Sequence, residues 1–276
     1  MNQDDLTARG IDNYTSGRYE NAIKDFDEVL KINPEDAGAL MLRADCYVQL
    51  QCHDEAIRDY SALLEIDPED ADALRDRGDC YAALQRYDEA FKDYDAAIRK
   101  DPENELAFLS RGNCYSGLQR YDEAIADYSA VIRLNPEMIA ALSARGDCCK
   151  ELKRYDEAVR DYSAAVKLTP ENDGEINERA HCFAELHRYD EAIRDYSSVI
   201  KNNPGADDVL VSRGNAYAYS GRFQEAIDDF TAAIEINPDN CLAYWYRGAV
   251  WEQISGKEHN AQADYAAARK IASDMQ

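Results

Sequence analysis

Apolar residues recur along this chain in two helical stripes that repeat every 34 positions, with polar connections between them. In the third copy Ala73, Leu74, Tyr81 and Leu84 stripe one segment, and Tyr87, Ala90, Phe91, Tyr94, Ala97 and Ile98 stripe the next. Spacings of three and four residues put each set on one helix face, and Gln85 with Arg86 supplies the turn between them. No run alternates with the period of two that a strand requires, so the pattern predicts sixteen antiparallel helices.

Fixed columns sharpen the repeat. A small residue recurs at Gly10, Ala44, Gly78, Gly112, Gly146, Ala180, Gly214 and Gly248, where two helix backbones must approach closely. Three residues further, or four in the first copy, the chain carries an aromatic at Tyr14, Tyr47, Tyr81, Tyr115, Phe183, Tyr217 and Trp251, with Cys149 as the exception. Alanines at 22, 56, 90, 124, 158, 192 and 226 are each followed four residues on by Phe or Tyr, from Phe26 to Phe230. Prolines keep the same interval, from Pro34 to Pro238, and each marks the end of a unit because proline lacks the donor that a helix interior requires. The marks divide residues 1–276 into eight units with boundaries near 36, 70, 104, 138, 172, 206 and 240, and the expectation is a single domain.

These columns, together with segments such as RGDCYAALQRYDEAFKDYDAAIRKDP, resemble the tetratricopeptide repeat family along almost the whole chain. The resemblance implies an all-α, right-handed superhelical α-solenoid of helix-turn-helix units that holds peptides or proteins in a concave groove. The eighth unit departs from the rest: QISGKEHNAQADY carries an extra residue, the closing proline is missing, and Glu258, Gln262 and Arg269 stand where Tyr189, Ile193 and Ile200 are apolar. It is expected to be a polar cap, with Asp5 doing the same at the other end, so that the array reads as complete.

Two charged columns run through every unit. Arginine stands at 9, 43, 77, 111, 145, 179, 213 and 247, and aspartate at 25, 59, 93, 127, 161, 195, 229 and 264. Their offset, the same in all but the last unit, predicts an ion-pair ladder, since a guanidinium fork matches a carboxylate. The alternative, a row of arginines for phosphate or nucleic acid, is opposed by the aspartates and by a net charge of -24. Nucleic acid is therefore not an expected partner.

Cysteines at 46, 80, 114, 148 and 182 share one column, which predicts small buried side chains rather than a metal or redox site. No cofactor or metal is expected. The sequence shows no phosphate loop, partnered nucleophile or ligand cluster, so it is not expected to be an enzyme. No run approaches the roughly 20 apolar residues of a membrane span, and MNQDDLTARG does not read as an export signal, so a cytoplasmic protein is expected.

The resemblance also points to groove residues. They are Asp45, Asp79, Asn113, Asp147, His181 and Asn215 just after the small column, then Asp72, Arg75, Asp76, Asn177, Trp245 and Tyr246 before it and Tyr219 after it. Family members that clamp a C-terminal carboxylate use basic and amide side chains where this chain has Thr7, Ile11, Leu42, Asp72 and Asp76, which would repel one. The expected partner is a protein or peptide that is not acidic, lying extended with an apolar residue against Tyr219, Trp245 and Tyr246, although Trp245 suits the core as well. Self-association into homo-oligomers is the alternative.

Overall fold

The computed structural model describes residues 2–274. In chain order the helices are α1 (Gln3–Thr15), α2 (Tyr19–Ile32), α3 (Ala37–Gln49), α4 (His53–Ile66), α5 (Ala71–Ala83), α6 (Tyr87–Lys100), α7 (Glu105–Gly117) and α8 (Tyr121–Leu134). They continue as α9 (Ile139–Glu151), α10 (Tyr155–Leu168), α11 (Asp173–Glu185), α12 (Tyr189–Asn202), α13 (Asp207–Tyr219), α14 (Phe223–Ile236), α15 (Cys241–Glu252) and α16 (Glu258–Asp274). Every described element is helical, and consecutive helices pair as hairpins, α1 with α2 through α15 with α16. The residues group into two compact units, Met1–Ala141 and Leu142–Gln276.

Each boundary has a local cause. Residues before proline, such as Asp67 and Asp101, adopt extended geometry because the proline ring crowds the helical region. Their carboxylates accept from the backbone N–H two residues on, at 3.0 Å in both cases, which closes the turn. The next helix then starts on a side-chain cap: Asp36, Asp70, Asn104 and Asn240 accept from the N–H of Ala39, Ala73, Ala107 and Ala243 at 2.9–3.0 Å. Asp5 joins Asn2 in a reciprocal capping box at the first helix. Residues Met275 and Gln276, the end of the expected cap, lie outside the described residues.

Within each hairpin the small column meets the second aromatic column. A Cβ placed on Gly78 would lie 2.8 Å from the Tyr94 ring, and one on Gly214 would lie 2.6 Å from Phe230. Cys46, Cys80, Cys148 and Cys182 are buried, while Cys114 is half-buried. Burial pushes the Cys46 thiol up to about 11 and those of Cys80 and Cys182 up to about 12, so all three stay protonated at neutral pH.

The arginine and aspartate columns meet in every unit. Nε and one terminal nitrogen of Arg77 donate to the two oxygens of Asp93 at 2.7 and 2.8 Å, and Arg111 grips Asp127 in the same way at 2.8 and 2.7 Å. The pattern continues at Arg43–Asp59, Arg145–Asp161, Arg179–Asp195, Arg213–Asp229 and Arg247–Asp264, and Arg9 reaches Asp25 with both nitrogens. Hydrogen bonding to the partner raises the pKa of Arg77, Arg111, Arg213 and Arg247 against the opposing pull of burial.

Apolar packing between successive hairpins is supplemented by the remaining guanidinium nitrogen. It donates from Arg43 to Asp27 at 2.6 Å, from Arg111 to Asp95 at 2.5 Å, and from Arg77, Arg213 and Arg247 to Ser61, Ser197 and Thr231 at 2.9–3.1 Å. Each acceptor sits two residues beyond the aspartate of the preceding unit, a column of acid and hydroxyl residues that the sequence reading passed over. The ladder therefore crosses between hairpins as well as within them.

Candidate peptide-binding grooves

Because α1, α3, α5 and α7 neighbour one another, their outward faces line one side of the first unit; α11, α13 and α15 do the same in the second. Asp45, Asp79 and Asn113 lie on such faces, Asp147 holds the same column position on α9, and each has an interior partner. Tyr60, Tyr94, Tyr128 and Tyr162, all buried, donate their phenolic O–H to these four side chains at 2.7–2.8 Å. These groove positions thus also satisfy a buried hydroxyl, which would otherwise be costly. A partial signal for this was present: Phe26 replaces the tyrosine where the residue fifteen positions earlier is the apolar Ile11, although Phe230 faces the polar Asn215 at the same offset.

In the first unit a recess of about 380 Å³ is lined by Tyr14, His53, Asp45, Asp76 and Asp79 among others. Arg75 projects next to it and is already engaged, donating to Asp76 at 2.7 Å and to Asp72 at 2.8 Å. Asp72 stays on the exposed rim and also accepts from Asn104. Burial pushes Asp76 up to about 6, with Arg75 opposing and Asp79 and Asp45 reinforcing the shift. Asp79 keeps an edge open to solvent, yet crowding by protein atoms raises its pKa too, against hydrogen bonds from Tyr94 and Ser110.

The second unit differs in character. Asp147 is exposed and lies 3.6 Å from Lys150, which binds Glu178 at 2.5 Å, so a lysine partly offsets the acids of this stretch. Asn177 is half-buried on α11. His181, Asn215, Tyr219 and Tyr246 come together around a recess of about 500 Å³. Tyr219 is 74% exposed and stacks on Tyr189 with centroids 5.9 Å apart, whereas Tyr246 lies half-buried over Phe230. Trp245 is neither core nor part of that recess: it is 47% exposed and rests on Tyr265 at 4.9 Å.

Sequence reasoning also passed over the turn arginines. Arg86, Arg120, Arg188 and Arg222 lie over Tyr81, Tyr115, Phe183 and Tyr217 at 4.5–4.6 Å, and each reaches a glutamate in the first turn of the following helix. They are attached to the scaffold rather than offered to a ligand.

Tetratricopeptide repeat models match residues 7–69, 49–105 and 109–173, and a second model of that repeat matches 208–240. The chain belongs to the tetratricopeptide repeat family. Members of this family generally act as protein-interaction scaffolds. No curated protein matches the chain significantly. Among solved structures, the C-terminal part of a repeat-containing protein of this family from Cytophaga hutchinsonii is similar, with a TM-score of 0.75 and 18% identity over 86% of this chain and 97% of that one. YrrB, described as having an unusual peptide-binding site, is 24% identical with a TM-score of 0.62, over 67% of this chain and 95% of its own. A protein of the family from Parabacteroides merdae is 18% identical with a TM-score of 0.61, over 97% of this chain and 98% of its own. At these identities the likeness concerns the fold. No helix among the described residues is long and apolar enough to cross a membrane.

Proposed function

We propose that this protein is an interaction scaffold whose first-helix faces bind an extended, basic or neutral peptide segment of a partner. The observation that carries the reading is the recess in the first unit, where Asp45, Asp76 and Asp79 converge and burial holds Asp76 near pH 6. Carboxylates crowded together gain from a cation that relieves both their repulsion and their desolvation. YrrB is described as a peptide-binding member of the same family, which supports the class of ligand but not its charge.

Isothermal titration of the full chain with a lysine- and arginine-rich peptide set and a glutamate-rich set tests the proposal. The basic set is expected to bind at least about tenfold more tightly, and Asp76→Asn is expected to narrow the gap. Preference for the acidic set would overturn the reading.

A further inference from the structure

Tyr219 and Tyr246 are shared walls between two adjoining recesses of the second unit. On one side, in the space of about 500 Å³, stand Tyr189, His187 and the carboxylate of Glu185. On the other, in about 370 Å³, stand Phe223, Ala218, Ala249 and Val250, with Asn215 and Gln253 as the polar members of the wall. One space is aromatic with an acid in its wall, the other is mainly apolar, and both open along the line of α13 and α15.

Resting on the groove reading above, we propose that this pair of recesses reads two side chains of a bound peptide: an arginine in the Tyr189–Tyr219–Glu185 recess and a bulky aliphatic residue in the Phe223–Val250 recess. The cation is chosen by charge and by ring geometry. Tyr219 is 74% exposed and lies nearly parallel to Tyr189, at 13°, presenting π surface in a recess that Glu185 also lines. A guanidinium can stack on such a ring and donate to an adjacent acid at once, which a neutral residue cannot. This chain already joins the two contacts at Arg86, which lies over Tyr81 at 4.6 Å and bonds Glu89 at 2.8 Å. Since alternate side chains of an extended peptide point the same way, the arginine and the aliphatic residue are expected two positions apart.

Fluorescence anisotropy with short labelled peptides tests this on the full chain. The probes carry arginine and, two residues on, leucine in a serine-glycine background, with partner peptides that replace arginine by glutamine or leucine by alanine. Tyr219→Ala and Glu185→Gln are the variants; Tyr219 is largely exposed, and glutamine can still accept from Tyr155, so circular dichroism should be unchanged in both. The expected result is that each peptide replacement weakens binding to the wild type about tenfold and that Tyr219→Ala removes the preference for arginine over glutamine. Equal affinity for the arginine and glutamine peptides, or wild-type behaviour of both variants, overturns the inference. If both variants match the wild type while Asp76→Asn weakens basic peptides, this subsite fails and the groove reading stands. If no basic peptide binds the wild type at all, the groove reading fails with it.

Discussion

A buried pair and a crowded carboxylate make opposite demands at the scale of single residues. Asp93 and Arg77 are 9% and 20% exposed, so removing one partner strands a charge that water reaches poorly. Asp93→Ala is expected to cost about 2–3 kcal/mol, below the range for fully buried pairs because Arg77 keeps some solvent. The double replacement Arg77→Met with Asp93→Leu should recover most of that loss in urea denaturation, because no unpaired charge remains. Asp76 behaves the other way. Its pKa in the folded state is about 6, above the ordinary carboxylate value of about 3.9, so the folded protein binds the proton more strongly than the unfolded chain. Its cost to stability is therefore absent at low pH and accrues as pH rises from about 4 to about 6. A cationic peptide needs the ionised form, so its affinity should be full above about 6 and fall as pH drops through that value. Titrations across this window, with a reduced slope in Asp76→Asn because Asp79 still titrates, would check both signs.

At the scale of the helical hairpin, the turn carries strain that the sequence pattern hid. Gln51, Gln85, Gln119, Lys153 and His187 adopt φ of 58–60°, a left-handed conformation filled by Gly17, Gly221 and Gly256 in the other turns. Relief of this geometry competes with the greater freedom that glycine gives the unfolded chain, and the left-handed cost of about 1–2 kcal/mol is the larger. Gln85→Gly should thus be neutral to stabilising by up to about 1 kcal/mol, whereas Gln85→Val should destabilise, as thermal melts would show. Close approach sets a harder limit at Gly78. Ala44 and Ala180 show that the column accepts a methyl group, but Gly78→Val would drive branched carbons into the Tyr94 ring and should cost about 2–4 kcal/mol.

Helix boundaries, the small column and the Arg–Asp offset were legible because each is a spacing, and spacing is what a helix converts directly into position. Contacts that combine two columns at a distance were not. The tyrosine hydroxyls that reach Asp45, Asp79, Asn113 and Asp147 became visible only as pairs, although the coincidence of Phe26 with Ile11 carried the hint. The groove reading consequently took as purely ligand-facing several acids that also hold the interior together. Tyr219 and Tyr246 were legible as an aromatic cluster with Trp245, but the two recesses they separate, and the seating of Trp245 on Tyr265 instead, depend on packing that no column carries.

Charge acts on the whole molecule in two directions that salt can separate. A net charge of -24 makes the folded chain repel itself, while a cationic peptide is drawn to it. Raising salt shortens the Debye length from about 10 Å at 0.1 M to about 3 Å at 1 M, which screens both effects where they act through solvent. The ladder is screened less, because its aspartates, apart from the half-buried Asp195, are buried and grip their arginines at hydrogen-bonding distance. Added sodium chloride should therefore raise the melting temperature by a few degrees, since each 1 kcal/mol moves a chain of this size by about 2–4 °C. The same addition should weaken binding of the basic peptides, mainly through slower association. Melting curves and stopped-flow binding over one salt series would give slopes of opposite sign; a melting temperature that fell with salt would mean that the ladder, not the surplus acid, dominates the electrostatics of the fold.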